Sequence, residues 1–504
     1  MSPLYYAIVI VALCVIIYRS RDRGRYPPSP PKHWLLGNLL DMPRTVDWDK
    51  LLAWRNKYGG MTYLSAFGRS VLVLNTAEVI KDLLDKRAKN YSHRPHTVMA
   101  GELFGLDKTL VFYDYNDRYR VIRRLTQQVL SPEASRKYQD LQLDVIKLLL
   151  DRLRVDPDDF REQCRLAASR MILTITYGLD IKTADSEYIV AAQHTMDTMT
   201  EAAMPGAYVV DLIPILKHLP RWFPFTTFHQ IGDYGRKLIT DLITRPYEHV
   251  ERCLAAGNAP QSFVSDLLSE PETLEKHGKH SEDLIEDIKW TAGALFAAGV
   301  ETSFTTMLIF FLLMALHPDV QAKARQEIDS VTGGNRVASL EDRPNLPYLQ
   351  ALLREVARWH VVVPTSLPRR TGEDDIYNGF NIPANTIIVP NIWALSQDVD
   401  DPKCFNPDRF LDSGNAQNPY EYIYGFGRRI CPGRHVADNF LFLFAANTLS
   451  FFNVSSPDRP IKGLKMPSDL AFTPTLVSCP EPFACKIEPR SAAHAETIAS
   501  IVME

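Results

Sequence analysis

The stretch from Tyr424 to His435 reads YGFGRRICPGRH. Gly425 and Gly427 stand just before Cys431, and Gly433 just after it. Glycines permit a tight loop and close backbone approach. Pro432 suits the first turn of a helix, which Val436 to Phe452 would continue. Cys431 therefore belongs at a helix N-terminus beside Arg428, Arg429 and Arg434. The helix dipole and nearby cations both favour a thiolate there. A thiolate at the end of a Gly-rich loop can reach a flat metal cofactor. The other six cysteines (Cys14, Cys164, Cys253, Cys404, Cys479 and Cys485) are scattered, with no C-x-x-C pair. That usage excludes a disulfide scaffold and speaks against a structural zinc ribbon.

A second chemical group lies on the longest predicted helix. It starts near Ser281, with Glu282 and Asp283 in its first turn, and ends before Pro318. About 36 residues give ~54 Å at 1.5 Å per residue. From Trp290 to Leu316 its one charge is Glu301. A membrane span would hold that carboxylate near mid-bilayer, where it is expensive. A helix apolar on all sides also suits the centre of a large soluble domain, and this is the expectation here. An acid on a buried helix hints at function.

The elements that must position these groups are mostly helical. Met61 to Asn75 alternates apolar and polar residues around Gly68-Arg69, which predicts a hairpin. Helices are predicted over Thr76–Lys86, Asn116–Leu130, Ser135–Leu153 and Asp158–Tyr177. The Pro-rich stretches at 214–224 and 364–368 read as bends within one body. The expected class is mainly α with a small β-sheet region. One large catalytic domain, 34–490, follows an anchor at 1–18 and a basic, Pro-rich linker at 19–33; a tail, 491–504, comes after it.

The chain has 504 residues and a net charge of −4, with 46% hydrophobic and 23% charged residues. This is ordinary globular usage and excludes disordered, collagen-like and coiled-coil chains. It also lacks the basic excess of a nucleic-acid binder. Met1 to Tyr18 holds no charged residue, has an apolar core from Leu4 to Tyr18, and is just long enough to cross a thin bilayer. Arg19, Arg21, Arg23, Arg25 and Lys32 then stand against Asp22 alone. Positive flanks stay cytoplasmic, so the body is expected in the cytosol. A cleaved signal peptide puts its charge before the apolar run instead. Two sequons, at Asn90 and Asn453, would then go unused. The run Pro27-Pro28-Ser29-Pro30-Pro31 is a stiff connector that would set the body at a fixed tilt.

The cysteine stretch resembles the haem-binding loop of the cytochromes P450, F-x-x-G-x-R-x-C-x-G. Gly427, Arg429, Cys431 and Gly433 match, while Tyr424 replaces the usual Phe. Glu355-Val356-Ala357-Arg358 fits the family's E-x-x-R, and Phe405 to Phe410 resembles the segment whose arginine joins that pair. Ala298-Gly299-Val300-Glu301-Thr302-Ser303 fits (A/G)-G-x-(D/E)-T-(T/S) on the long helix. Four signatures in the family's order cover nearly the whole chain.

The resemblance implies haem b with Cys431 as the axial iron ligand, and thiolate ligation favours O–O cleavage. It implies that small residues at Ala298 and Gly299 leave room for oxygen and that Thr302 and Glu301 handle its protons. Arg429, Arg369 and Arg123, with Tyr119 helping, would meet the haem propionates; Tyr119 stands where the family usually has Trp. The cofactor-site set is thus Cys431, Arg429, Arg369, Arg123, Tyr119, Tyr424, Gly427 and Gly433. No nicotinamide fingerprint exists, since Ile430 occupies the third glycine position of G-x-G-x-x-G. Electrons are therefore expected from an NADPH-dependent flavoprotein reductase, docking on Arg120, Arg124, Arg428 and Arg434. The implied activity is hydroxylation, epoxidation or another oxidation of a hydrophobic small molecule with O2, on the cytosolic side of the endoplasmic reticulum membrane. The implied pocket is lined by 94–113, Phe296, Ala297, 361–367 and 472–476. The closest flavour is fungal secondary metabolism, with a terpenoid substrate first and an aromatic or polyketide-like compound second. A haem-thiolate isomerase or dehydratase and a non-catalytic haem protein are the alternatives.

Overall fold

A computed structural model of the chain describes residues 25–42, 47–202, 208–224, 226–269, 281–411, 416–459, 463–469 and 471–501. The anchor expected at 1–18 lies outside the described residues. Helix α1 (Trp48–Tyr58) leads into strands β1 (Met61–Ala66) and β2 (Arg69–Leu74). Helices α2 (Asp117–Leu130), α3 (Gln139–Val155), α4 (Phe160–Tyr177), α5 (Glu187–Ala202) and α6 (Phe228–Ala255) follow. Then come α7 (Ser281–Leu316), α8 (Pro318–Thr332) and α9 (Pro347–Trp359). Short strands β3 (Arg369–Arg370), β4 (Asp375–Tyr377), β5 (Phe380–Ile382) and β6 (Ile387–Pro390) precede α10 (Arg434–Phe451). Strands β7 (Phe452–Ser455) and β8 (Lys486–Pro489) and helix α11 (Ala492–Ile501) complete the order.

The main sheet has the order β1-β2-β6-β3. β1 and β2 pair antiparallel from Met61↔Leu74 to Ala66↔Arg69. β6 joins β2 in parallel (Val71↔Ile387), and β3 closes the edge antiparallel (Arg369↔Ile388). The hairpin turn sits at Phe67-Gly68, one residue before the expected place, and both residues have positive φ (50° and 77°). That pair of left-handed residues gives the turn twist that antiparallel strands require.

α7 runs through the middle of the body against α4, α6 and α10. Its most apolar window is long enough to cross a membrane, yet 72% of that window is buried inside the protein. The core-helix expectation therefore holds. Phe304, Leu308, Phe311 and Leu313 are sealed in one cluster with residues of α3, α4, α8, α9 and α10. α2 begins at Asn116, whose side chain accepts from the Tyr119 N–H, and gives way at Ser131 before Pro132.

The segments flanking the expected domain do not stand apart. Linker residues dock on the sheet: the Tyr63 N–H donates to the Pro28 carbonyl at 2.8 Å and the Asn381 N–H to that of Arg25 at 2.7 Å. Tyr26 stacks on Tyr63. At the other end α11 buries Ile498 completely in the main core. The expected boundary at 490 therefore falls inside the packed body.

One buried charge network ties α9 to the loops that lead to the cysteine. Arg358 Nε and Nη2 donate to the two carboxylate oxygens of Glu355, both at 2.7 Å. Arg409 Nε adds a contact at 3.2 Å and the Asn406 N–H one at 2.9 Å. The side chains of Glu355 and Arg358 are 0% exposed. Arg358 also reaches the carbonyls of Ser396, Pro402 and Cys404, and Arg409 those of Asp400 and Cys404. Removing the carboxylate leaves two guanidiniums unpaired, which in buried sites costs about 3–5 kcal/mol. Glu355→Leu is expected to lower the thermal unfolding midpoint sharply or prevent folding, read by circular dichroism. An unchanged midpoint would show that the network does not hold the fold.

Candidate active site

The loop before α10 is shaped by its glycines. Gly425 and Gly427 have positive φ, 77° and 50°. A Cβ on Gly427 would lie 2.2 Å from the Leu84 carbonyl oxygen, so no other residue fits without backbone movement. A Cβ on Gly433 would meet no protein atom within 4 Å. Pro432 lies ahead of the helix, whose N-cap is Gly433. The Cys431 N–H closes the loop on the Tyr424 carbonyl at 2.8 Å.

Three separate donors hold alternate carbonyls of this loop. Arg369 Nη2 donates to Phe426 O at 2.8 Å, Tyr119 Oη to Arg428 O at 2.7 Å and Arg123 Nη2 to Ile430 O at 2.6 Å. Arg429, inside the loop, points back: Nε donates to Ser92 O at 2.8 Å, and its other nitrogens reach Leu110 O and Tyr113 O. Its guanidinium lies 3.8 Å from the centre of the Tyr119 ring. Tyr119, Arg123, Arg369, Arg429, Gly427 and Cys431 are thus brought together in one cluster. The ring replacing Trp at 119 works through its hydroxyl. Tyr424 contributes its carbonyl, while burial pushes its phenol well above the usual range and keeps it neutral.

The sequence reading missed Arg94 as a member of this cluster. It donates to the carbonyls of Val111, Leu367 and Pro368. Burial first, then the charges of Arg429 and Arg369, holds its pKa well below the usual arginine range. Burial and Arg429 bring fully buried Arg369 down to about 10. Among the described residues, no carboxylate forms an ion pair with Arg94, Arg123, Arg369 or Arg429. Arg369 Nη1 is buried with no hydrogen-bond partner.

The environment of the sulfur differs from expectation. Burial pushes the free Cys431 thiol up, opposed by the N–H groups of Gly433 and Arg434 and the charges of Arg123 and Arg434. Arg428 and Arg429, expected beside the sulfur, turn elsewhere: Arg428 bonds the Tyr115 hydroxyl and lies over its ring.

On α7, Thr302 Oγ1 donates to the Ala298 carbonyl at 2.9 Å, and Thr306 repeats the pattern onto Thr302. Glu301 lies 3.5 Å from Arg165 Nη1 of α4. Arg165 also faces Glu162 at 3.5 Å and covers the Phe304 ring. Nothing in the sequence marked Arg165. Glu301 lines a small, water-sized pocket between α4, α5 and α7, with Arg165, Ser169, Gln193 and Ala297. Gly299 serves packing instead of an oxygen site, since a Cβ there would meet Ile172 of α4 at 2.9 Å. Phe296, expected in the substrate pocket, is sealed in a core cluster.

The sequence profile of the family described as "Cytochrome P450" matches residues 27–479. Cytochrome P450 monooxygenase COX2 of Coprinopsis cinerea is 37% identical over 95% of this chain and 92% of its own length. Cytochrome P450 monooxygenase 208 of Postia placenta is 34% identical, covering 99% and 97%. Cytochrome P450 monooxygenase claR of Ampulloclitocybe clavipes is 34% identical, covering 98% and 91%. The fold and these matches define a haem-thiolate monooxygenase. The chain belongs to the cytochrome P450 family, and its cofactor is haem b.

The residues present fit that cofactor. Haem b carries two carboxylates, and the site offers four guanidiniums without a carboxylate partner and one orphaned buried N–H group. A flat group can approach at Gly433, where no protein atom crowds the backbone. Gly427→Ala is therefore expected to abolish haem incorporation, because the clash is with backbone. Gly433→Ala is expected to fold and to lower only haem retention. The pyridine haemochrome assay and circular dichroism together separate the two; equal behaviour would refute the distinction.

Proposed function

We propose that this enzyme oxidises a hydrophobic small molecule with O2 and reductase-supplied electrons, using Cys431 as the axial ligand of haem iron. The observation that carries the reading is the Cys431 loop, clamped through three carbonyls inside a cluster of guanidiniums that form no ion pair with a carboxylate among the described residues. When bound, the haem supplies oxygen activation, which thiolate ligation favours. The chain's residues do the rest. Arg94, Arg123, Arg369 and Arg429, with Tyr119, hold the propionates and the loop. Thr302 keeps a hydroxyl at the α7 backbone, and Glu301 beside it handles protons on the way to that hydroxyl.

Electrons come from an NADPH-dependent flavoprotein reductase. Supporting this, Arg120 and Arg428 converge on the Tyr115 ring from two elements, at 5.2 and 4.9 Å. Arg124 is exposed on the same helix as Arg120. A basic patch of this kind steers an acidic partner.

The protein works at the endoplasmic reticulum membrane, with a single N-terminal span and a cytosolic body. Beyond the apolar run at 4–18, Trp34, Leu35, Leu40 and Phe67 are 57–76% exposed. Ile215 and Trp222 are exposed at 74% and 81%. Apolar patches of this size mark membrane or partner contact.

The substrate is a terpenoid, with an aromatic or polyketide-like compound second. Its pocket walls are the segments 361–367 and 472–476, in which Val361 to Pro364 and Phe472 are apolar. An apolar lining of this kind supports a hydrophobic substrate.

Two measurements test the reading. In membranes, the dithionite-reduced, CO-bound protein is expected to show the red-shifted Soret band of thiolate ligation, and Cys431→Ser to lose it. A normal band from Cys431→Ser would move the ligand to another residue. Thr302→Ala is expected to retain that band while oxygen consumption uncouples from product. Unchanged coupling would remove Thr302 from proton delivery.

A further inference from the structure

His360 follows the last residue of α9 and precedes the wall segment Val361 to Pro364. It is 5% exposed, inside a box of rings. Its imidazole stacks on Phe472 with centroids 3.5 Å apart and planes at 18°. Trp48 and Trp393 meet it edge-on at 6.0 and 5.9 Å. Nε2 shares a hydrogen bond of 2.9 Å with the Ser478 hydroxyl, and Ser478 is fully buried.

The same serine joins the other wall. The Ser478 N–H donates to the Val362 carbonyl at 2.8 Å. The 472–480 segment is closed on itself by the Thr473 N–H to Cys479 O, the Cys479 N–H to Thr473 Oγ1 at 3.0 Å and a Phe472–Pro480 bridge. The Trp393 N–H fixes Pro364 through its carbonyl at 3.0 Å. One ring therefore touches both walls: its backbone continues into the first, and its face and Nε2 hold the second.

We infer that His360 is a positioning residue that pins the walls 361–367 and 472–476 to each other, through Phe472 and through Ser478 just beyond the second wall, and so sets which substrate shapes the site accepts. The inference rests on the proposed reading of these segments as pocket walls. A flat ring fills the slot against Phe472, and its nitrogen satisfies a hydroxyl that would otherwise be buried unpaired. An aliphatic residue supplies neither. Burial pushes the imidazole down to about 3, so the ring is neutral at working pH and acts through shape and one neutral hydrogen bond.

The test uses the full-length haem protein in membranes and three nitrogen ligands of increasing bulk: imidazole, 4-phenylimidazole and clotrimazole. Each is titrated by its shift of the haem spectrum. His360→Ala is expected to change the ratio of clotrimazole to imidazole affinity about fivefold, the scale of one lost hydrogen bond. The CO spectrum and the affinity for imidazole itself stay unchanged. His360→Gln, which keeps a donor toward Ser478, is expected to recover most of the ratio. Ser478→Ala, which removes the bond from the other side, is expected to move it in the same direction as His360→Ala. If His360→Ala holds no haem, the Ser478→Ala and His360→Gln ratios decide by the same criterion.

Val362→Phe separates the inference from the reading beneath it. If Val362→Phe leaves the ratio unchanged, the segment is not a pocket wall and both statements fall. If Val362→Phe moves the ratio while neither His360→Ala nor Ser478→Ala does, the pocket stands and the role of His360 is overturned. Equal shifts for all three ligands would likewise assign His360 to general stability.

Discussion

The interaction on which the site depends is the capture of three alternate backbone carbonyls, Phe426, Arg428 and Ile430, by Arg369, Tyr119 and Arg123. The Gly-rich loop makes only one 3-10 turn, Gly427–Arg429, which pairs the carbonyls of Phe426 and Gly427 with backbone N–H groups; those of Arg428 and Ile430 find side-chain donors instead. Here the donors come from β3 and α2, elements far apart in sequence. Each guanidinium gives part of its donor set to the loop and keeps its full charge. The clamp therefore does two things with one set of residues: it fixes the sulfur's position and leaves a positive field beside it. That field is stable only with an anion, which a cofactor bearing two carboxylates supplies. The sulfur follows parallel logic. Burial disfavours its anion in the free chain, and a coordinated metal ion reverses that balance outright.

The scaffold makes the clamp possible by fixing its supports to backbone too. Arg358 and Arg409 spend most of their donors on carbonyls of 396–404, with Glu355 as the single buried acid between them. α7 supplies the opposite support, and its close approach to α4 requires Gly299. The hydroxyls of Thr302 and Thr306 bond the helix's own carbonyls, so these two do not compete for partners in the core.

The parts legible in the sequence were those with a period or a fixed spacing. α7 could be bounded from Ser281 and Pro318 because cap signals and an apolar run agree. The cysteine loop could be read because glycine, arginine and cysteine in that order carry a mechanism. Contacts across long sequence separations were not legible. Arg94 and Arg165 sit in ordinary surroundings in the sequence, and only the fold sets them beside Arg369 and Glu301. Gly299 looked like space for a ligand, yet the space is filled by Ile172, because spacing along a helix does not say which neighbour faces it. The arginine roles were half legible: their convergence was expected, but their bonds to loop carbonyls were not, since carbonyls carry no sequence signal. The hairpin turn fell one residue early because Phe67, a bulky residue at positive φ, is an uncommon choice there.

The two ways of holding structure in this protein have different consequences for change. At the iron-facing loop the contacts run from side chains to carbonyls, so they are indifferent to which side chains occupy positions 426, 428 and 430. At the segments proposed as pocket walls the contacts run from side chain to side chain: His360 to Ser478, and His360 to Phe472. Altering Tyr119 or Arg123 removes the side-chain donor from the Arg428 or Ile430 carbonyl, whereas the Phe426 carbonyl keeps the Arg429 N–H when Arg369 is lost. Altering a residue of the second kind lets a wall shift while its backbone bonds, such as that from Ser478 to Val362, stay in place. The same fold can thus keep one oxygen chemistry fixed while the shape of the cavity above it varies. It follows that the residues governing what this enzyme oxidises lie in the aromatic and hydroxyl contacts behind the walls as much as on the walls themselves.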